Sequence, residues 1–166
     1  MVISNISRYR AVFVVALGLL AVACSKGGTV GIETGPNLGL ALYGNLEVIH
    51  GEDAIDTPQE VIVRFGQELD KRIFDDDKFE RGSRGLTLSY RFLTLTEFRK
   101  KILGFIPNTT GASVTVELEF YDPTGALLSR AVVEGRINPN FFIGDLNDAV
   151  EEAAKEAAKY TLDTFR

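Results

Sequence analysis

The chain has no tryptophan, one cysteine and one histidine among its 166 residues. A single Cys excludes an intrachain disulfide framework and any multi-cysteine zinc site. A single His excludes the usual multi-histidine catalytic metal centres. Bases are in deficit, 18 Lys+Arg against 23 Asp+Glu for a formal charge of −5, which argues against nucleic acid as a partner because that needs a basic footprint. Also missing are a G-x-S-x-G elbow, a Walker loop, an H-E-x-x-H pair and a dinucleotide fingerprint, so no cofactor is implied. Apolar residues are plentiful at 45%, enough to bury a core and to exclude wholesale disorder. The length suits one domain with a tail.

Residues 1–23 contain no acid and two bases, Arg8 and Arg10. The uncharged run 11–23 has 13 residues; as a helix it would reach about 20 Å at ~1.5 Å per residue. That is too short for a bilayer core of about 30 Å. A basic start, a short apolar run and small residues at the end are the parts of a secretory signal peptide. The small residues lead to the only cysteine, in Leu20-Ala21-Val22-Ala23-Cys24, which resembles a bacterial lipobox, with Ala21 where Leu is commonest. The resemblance implies cleavage before Cys24 and a lipid anchor on its thiol. The alternative is an ordinary signal peptide that happens to contain a cysteine; basic flank, core length and placement together favour lipidation. Ser25 after the Cys, in place of Asp, points to the outer membrane, facing the periplasm. Without the signal, 16 bases remain of the 18 against all 23 acids, a formal −7. So acidic a domain is repelled by anionic lipid headgroups and is expected to hang from its anchor.

Residues 24–37 read as the lipidated Cys and a flexible, glycine-containing tether, and 38–166 as a single domain. Leu40, Leu42, Leu46 and Val48 suggest one strand or two short ones over 38–49. Thr57, Pro58 and Glu60 have the spacing of N-cap, N1 and N3 in a capping box. Val61, Phe65, Leu69 and Ile73 then give a helix with one core face, ending near Phe74. Leu86, Leu88, Tyr90 and Phe92 alternate with Thr87, Ser89 and Arg91 as a half-buried strand. The phase slips at Leu93 and Leu95, predicting a bulge or the strand's end. Residues 97–103 read as a short helical turn and 104–111 as a loop. Val114, Val116, Leu118 and Phe120 face one way and Thr115, Glu117 and Glu119 the other. The turn Asp122-Pro123-Thr124-Gly125 returns the chain into Leu127–Ile137, where Arg130, Glu134 and Arg136 are placed to pair with Glu117 and Glu119. A last helix is capped by Asp145 with Asp148 at N3. It is striped by Leu146, Ala149, Val150, Ala153, Ala157 and Tyr160, with Glu151 and Lys155 as an i,i+4 pair. The expected fold class is α+β: order β-α-β-β-β-α, a mostly antiparallel sheet of about four strands with two helices on one face.

Chemistry-bearing residues are sparse. His50 has Glu52, Asp53 and Asp56 near it in sequence but no nucleophile motif, and reads as an exposed loop residue. Asp75 to Asp77 with Glu80 are hard-oxygen ligands of the kind calcium uses, but without EF-hand spacing; a solvated helix exit is the simpler reading. Glu117 and Glu119 lie about 7 Å apart by strand rise, a glycosidase-like separation, yet alternating acids are ordinary on the wet face of a sheet. Two apolar segments stand out, Phe105-Ile106 and Phe141-Phe142-Ile143. They either cap the core or, if exposed, form a contact surface for a protein partner.

From residue 81 to residue 165, about half the chain, the sequence resembles the bacterial domain-of-unknown-function family 4410, a family of small envelope lipoproteins. The matching residues are Gly82-Ser83-Arg84, Gly104-Phe105, Gly111-Ala112, Asp122 with Thr124-Gly125, Gly135, and the Ala-rich helix with Glu156, Ala157 and Tyr160. The resemblance implies an envelope lipoprotein with no assigned catalytic residues. The functional expectation is a non-enzymatic, membrane-anchored accessory factor with a protein partner in the envelope. The alternatives are a module for an apolar ligand or lipid held between sheet and helices, or a hydrolase using scattered acids.

Overall fold

A computed structural model describes residues 26–34, 43–75, 79–82, 84–100, 109–138 and 145–166. In chain order these form β1 (Lys26–Thr34), β2 (Asn45–His50), α1 (Gln59–Phe74), β3 (Glu80–Arg81), β4 (Leu86–Lys100), β5 (Thr109–Tyr121), β6 (Leu127–Ile137) and α2 (Leu146–Phe165). The strands make one open six-stranded sheet in the order β1-β6-β5-β4-β2-β3. The expected class, α+β with two helices, holds. The expected count of about four strands does not, and the sheet is mixed: β2 runs parallel to both β4 and β3, while β4, β5, β6 and β1 are antiparallel to their neighbours. The parallel pairing follows from the helix between β2 and β4, because a helical crossover returns the chain in its original direction.

Two corrections concern strands. Residues 26–34, read as tether, pair with β6 from Lys26↔Ile137 to Thr34↔Arg130. Three glycines hide this strand, since glycine disfavours strands intrinsically; long-range pairing and the packing of Val30 against the core decide it. Residues 97–100, read as part of a helical turn, continue β4 and pair with β5 as far as Lys100↔Thr109. The slip after Phe92 is a bulge between Phe92 and Thr94, after which the strand resumes.

Both helices lie on one face. Leu88↔Phe120, Tyr90↔Leu118 and Phe92↔Val116 stand opposite one another and so share a face. Phe65 of α1 meets the rings of Tyr90 and Phe92 at 4.8 and 5.4 Å. Tyr160 and Phe165 of α2 meet Phe120 at 5.7 and 4.6 Å. Val61, Phe65, Leu69 and Ile73 are buried, as their four-residue spacing requires. The capping box expected at Thr57 is absent: Pro58, extended at ψ 135°, is the N-cap and no side chain caps the helix. In α2 the Asp145–Asp148 box does form. Glu151 and Lys155 do not pair with each other; Glu151 accepts from Arg64 of α1, and Lys155 reaches Glu152 at 2.8 Å. At the β5–β6 turn Asp122 Oδ1 accepts from the Thr124 and Ala126 amides at 2.8 and 2.9 Å, and Gly125 takes φ +85°.

The backbone of α2 comes close to the sheet at Gly135 in β6. A Cβ there would stand 2.0 Å from Ala149 O and 2.4 Å from Ala153 N, both helix backbone atoms that cannot swing aside. Gly135→Ala should therefore destabilise the domain by about 3 kcal/mol, the upper end of overpacking costs. A fall in the urea midpoint with unchanged m-value would show it.

Candidate functional site

Every residue singled out from sequence as a site, Cys24, Phe105, Ile106, Phe141, Phe142 and Ile143, lies outside the described residues, as do residues 76–78 of the acidic segment. Among the described residues no group of three or more His, Cys, Asp or Glu side chains is placed to hold a metal ion. The remaining candidates are the open sheet face, the His50 corner and a groove between the helices.

Alternation sends Arg91, Thr115, Glu117, Glu119, Tyr121, Arg130 and Glu134 to the face away from the helices. Register then makes them neighbours: Arg91↔Glu117 and Glu119↔Arg130 are directly opposed. Arg91 Nε donates to Glu117 Oε1 at 2.7 Å, and Arg130 Nε lies 4.0 Å from Glu117 Oε2. Glu119 accepts from Arg130 Nε at 2.9 Å and from the Tyr121 hydroxyl at 2.7 Å. Ser113 donates to Glu134 at 2.9 Å and Thr94 to Thr115 at 2.8 Å. Glu117 is only 6% exposed although it stands on the wet side; the flanking arginine stems cover it. Burial works to raise the pKa of Glu119, but the Tyr121 hydroxyl and Arg130 outweigh it and hold the carboxyl below its usual range. The same bond to Glu119, with burial, pushes the Tyr121 phenol up. A general acid needs a carboxyl held protonated near neutrality; Glu119 is held ionised, and its partners occupy it. Glu117 and Glu119 are thus two rungs of a charge ladder. Sequence alternation put Arg91 on this face without revealing its partner, because only the β4–β5 register makes the pair.

At the end of β2, His50 Nε2 lies 2.9 Å from Asp53 Oδ1, with the His ring 5.1 Å from that of Tyr90. Asp53 Oδ1 also accepts the Phe92 amide at 2.8 Å, and Ala54 N donates to Phe92 O at 3.0 Å. Burial tends to raise the Asp53 pKa; the Phe92 amide and His50 more than offset it, so the carboxyl stays below its usual range. A His–Asp pair orients a base only if a nucleophile stands on the other side. Here the pair pins the β2–α1 connection to β4. The hollow beside it, of about 300 Å³, is walled by Val48, Ile62, Val63, Gly66, Gln67 and Asp70 with His50 and Tyr90, none of them a Ser, Thr or Cys. Burial, then Asp53 and Asp70, push the Tyr90 phenol up to about 12, so it stays protonated.

The larger groove, about 530 Å³, lies along the C-terminal halves of the two helices, among Lys71, Arg72, Lys155 and Lys159, with Glu68, Asp75 and Asp163. The lining residues rise in number together, and Arg64 pairs with Glu151, so α1 and α2 run parallel. Their negative dipole ends therefore lie on this side; Lys71 and Arg72 stand in the last turn of α1, where bases are favourable, whereas the last turn of α2 holds none. It is a charged surface groove. The space between sheet and helices is instead filled by side chains such as Phe65, Leu69, Phe92 and Phe120, each 0% exposed.

An open mixed sheet with two parallel helices on one face is the class of fold. It is similar to that of PelC from Paraburkholderia phytofirmans, solved as a dodecamer, with a TM-score of 0.55 and 15% identity over 84% of this chain and 99% of that one. A minor lipoprotein from Acinetobacter baumannii aligns with a TM-score of 0.44 and 11% identity over 73% of this chain and 94% of that one. No protein-family model and no curated protein sequence matches the chain.

The ladder predicts two stability effects. Arg91→Ala should cost about 1–3 kcal/mol by leaving the buried Glu117 carboxylate with Arg130 alone, read as a lower urea midpoint. Because the folded pKa of Glu119 lies below its unfolded value, its contribution is complete above the unfolded pKa and is lost as pH falls through the folded one. Glu119→Gln should therefore lose less stability than wild type between about pH 5 and pH 3.

Proposed function

We propose that the protein is a membrane-anchored, non-enzymatic lipoprotein of the bacterial cell envelope that acts as an accessory or interaction factor. Cys24 is its anchor, and the outer membrane, facing the periplasm, is its location. The observation that carries this reading is the signal of residues 1–23 ending at Leu20-Ala21-Val22-Ala23-Cys24, directly before the first strand of the domain. The resemblance to family 4410 finds no matching family model and lends nothing further; the fold likeness to PelC is compatible with the reading. The non-enzymatic part is supported by the described polar groups: the carboxylates, arginines and His50 discussed above hold one another and none is aimed into an enclosed chamber. Binding of an apolar ligand between sheet and helices finds no support, since side chains fill that layer. Phe105, Ile106, Phe141, Phe142 and Ile143 remain the proposed contacts to a protein partner in the envelope.

Wild type produced in a bacterium with labelled palmitate should carry label and fractionate with membranes, and Cys24→Ser should lose both. Unlabelled wild type of full length would reject the anchor. In-cell crosslinking followed by mass spectrometry should capture a defined envelope protein. That capture should vanish in a variant with Phe105, Phe141 and Phe142 replaced by Ser whose circular dichroism and melting temperature are unchanged.

A further inference from the structure

β2 is an internal strand for only part of its length. β4 covers one side of it from Leu46 to His50, whereas β3 covers the other only at Asn45 and Leu46. Hydrogen bonds show which way each residue faces. Leu46 O accepts the Gly82 amide on the β3 side, and Gly51 N donates to Tyr90 O on the β4 side. Successive residues of a strand turn their backbone groups to alternate sides, so Val48 and His50 point theirs outward, beyond the end of β3. Neither has a backbone partner there among the described residues. Such a row of free N–H and C=O groups is a template for one more strand.

The hollow of about 300 Å³ borders this edge. Val48 and His50 line it from β2, and Ile62, Val63 and Asp70 from α1. Val63 is exposed, and so is Ile49, which alternation puts on the opposite face of β2. Tyr90 also lines the hollow and is only 5% exposed. Its hydroxyl lies beside Gly66 of the same wall, 3.1 Å from where a Cβ would stand. That hydroxyl makes no hydrogen bond among the described residues. Buried polar groups almost always have a partner, so this one is a place for a polar atom from outside. Asp70 adds charge: its Oδ2 accepts from Arg81 at 2.7 Å, and its Oδ1 has no bond among the described residues.

The surroundings are acidic. Residues 43–63 carry Glu47, Glu52, Asp53, Asp56 and Glu60 and no Lys or Arg. The nearest arginines are engaged, Arg64 with Glu151 and Arg81 with Asp70 and, 4.1 Å away, the Phe74 ring. Like charges set against one another are unfavourable across an interface, so this edge disfavours a second copy of itself and suits a cationic strand.

We propose that the outer edge of β2 takes up an extended, basic segment of a partner protein as a further strand of the sheet. Val48 and His50 supply the backbone bonds. A Lys or Arg side chain of the segment enters the hollow. Its methylenes lie on Val48, Ile62 and Val63, and its head donates to the Tyr90 hydroxyl oxygen and to Asp70. The neighbouring side chain of the segment, on the other face, is apolar and covers Ile49. In this mode main-chain bonds give affinity and alternate side chains give specificity. The surface is independent of the anchor at Cys24 and of the segments around Phe105 and Phe142.

The probe is an N-acetylated, C-amidated peptide of four Lys-Val repeats, which as a strand shows lysine on one face and valine on the other. With a fluorophore attached and titrated with the full chain in uncharged dodecyl maltoside, it should give saturable anisotropy. The peptide with Glu in place of Lys should bind about tenfold more weakly or not at all. Tyr90→Phe and Asp70→Asn, both close to isosteric, should each weaken the lysine peptide by about tenfold, the loss of one charge-assisted hydrogen bond, with circular dichroism unchanged. In the complex the Val48 and His50 amides should exchange with deuterium about tenfold more slowly. The Glu47 and Ile49 amides, which face β4, should keep their rates. No saturable binding, or equal binding of the glutamate peptide, would overturn the proposal. So would binding that leaves the Val48 and His50 amides unprotected, since the peptide would then be a cation held on an acidic surface.

Discussion

The approach of α2 to β6 sets the thickness of the molecule. Because residue 135 is glycine and the helix presents Ala149 and Ala153 there, backbone meets backbone where a side-chain layer would otherwise intervene. The helix lies low at this point, and Tyr160 and Phe165 at its other end reach Phe120. The Tyr160 hydroxyl finds Ser129 at 2.8 Å, satisfying two buried polar atoms that the close packing would otherwise strand. The same low seat brings α1 alongside, in reach of the Arg64–Glu151 bond, and leaves α1 to cover the β4 side through Phe65. Small residues in one place thus sit beside large ones elsewhere in the same buried core.

Much of this was legible, for identifiable reasons. The four-residue recurrence from Val61 to Ile73 and the Ala-rich stripe of α2 are local periodicities, and local periodicity survives folding. The Asp122–Gly125 turn is equally local, since its bonds close within five residues. What escaped notice was long-range. β1 has a tether's composition and becomes a strand only because β6 offers its edge. The end of β4 is fixed by β5 and not by its own propensity. Glu117 and Glu119 were recognisable as polar-face acids; their capture by Arg91 and Arg130 depends on register across three strands, which no single segment encodes. The segments favoured for contact, around Phe105 and Phe142, lie outside the described residues, so sequence alone speaks for them.

Functionally, the wet face and the helix layer are both already spoken for. Carboxylates that donors hold in their ionised form, as at Asp53 and Glu119, are poor acids, and His50 is engaged in securing a connection. Side-chain interactions of this kind give a rigid body with a defined polar relief, suited to being positioned and touched. That is compatible with the anchored accessory role proposed for the chain.

The pairing of β1 with β6 also fixes an order of events. Lys26 and Ile137 are 111 residues apart in sequence, and a chain that emerges N-terminus first exposes β1 long before its partner exists. Edge closure is therefore the most non-local of the strand pairings and a slow one by its topology. In the interval an apolar strand would be free to pair with other chains, the hazard of any unprotected edge. Gly27, Gly28 and Gly31 lower the intrinsic tendency of this segment to form such pairings. The composition that disguises β1 as a linker also suits a strand that must wait.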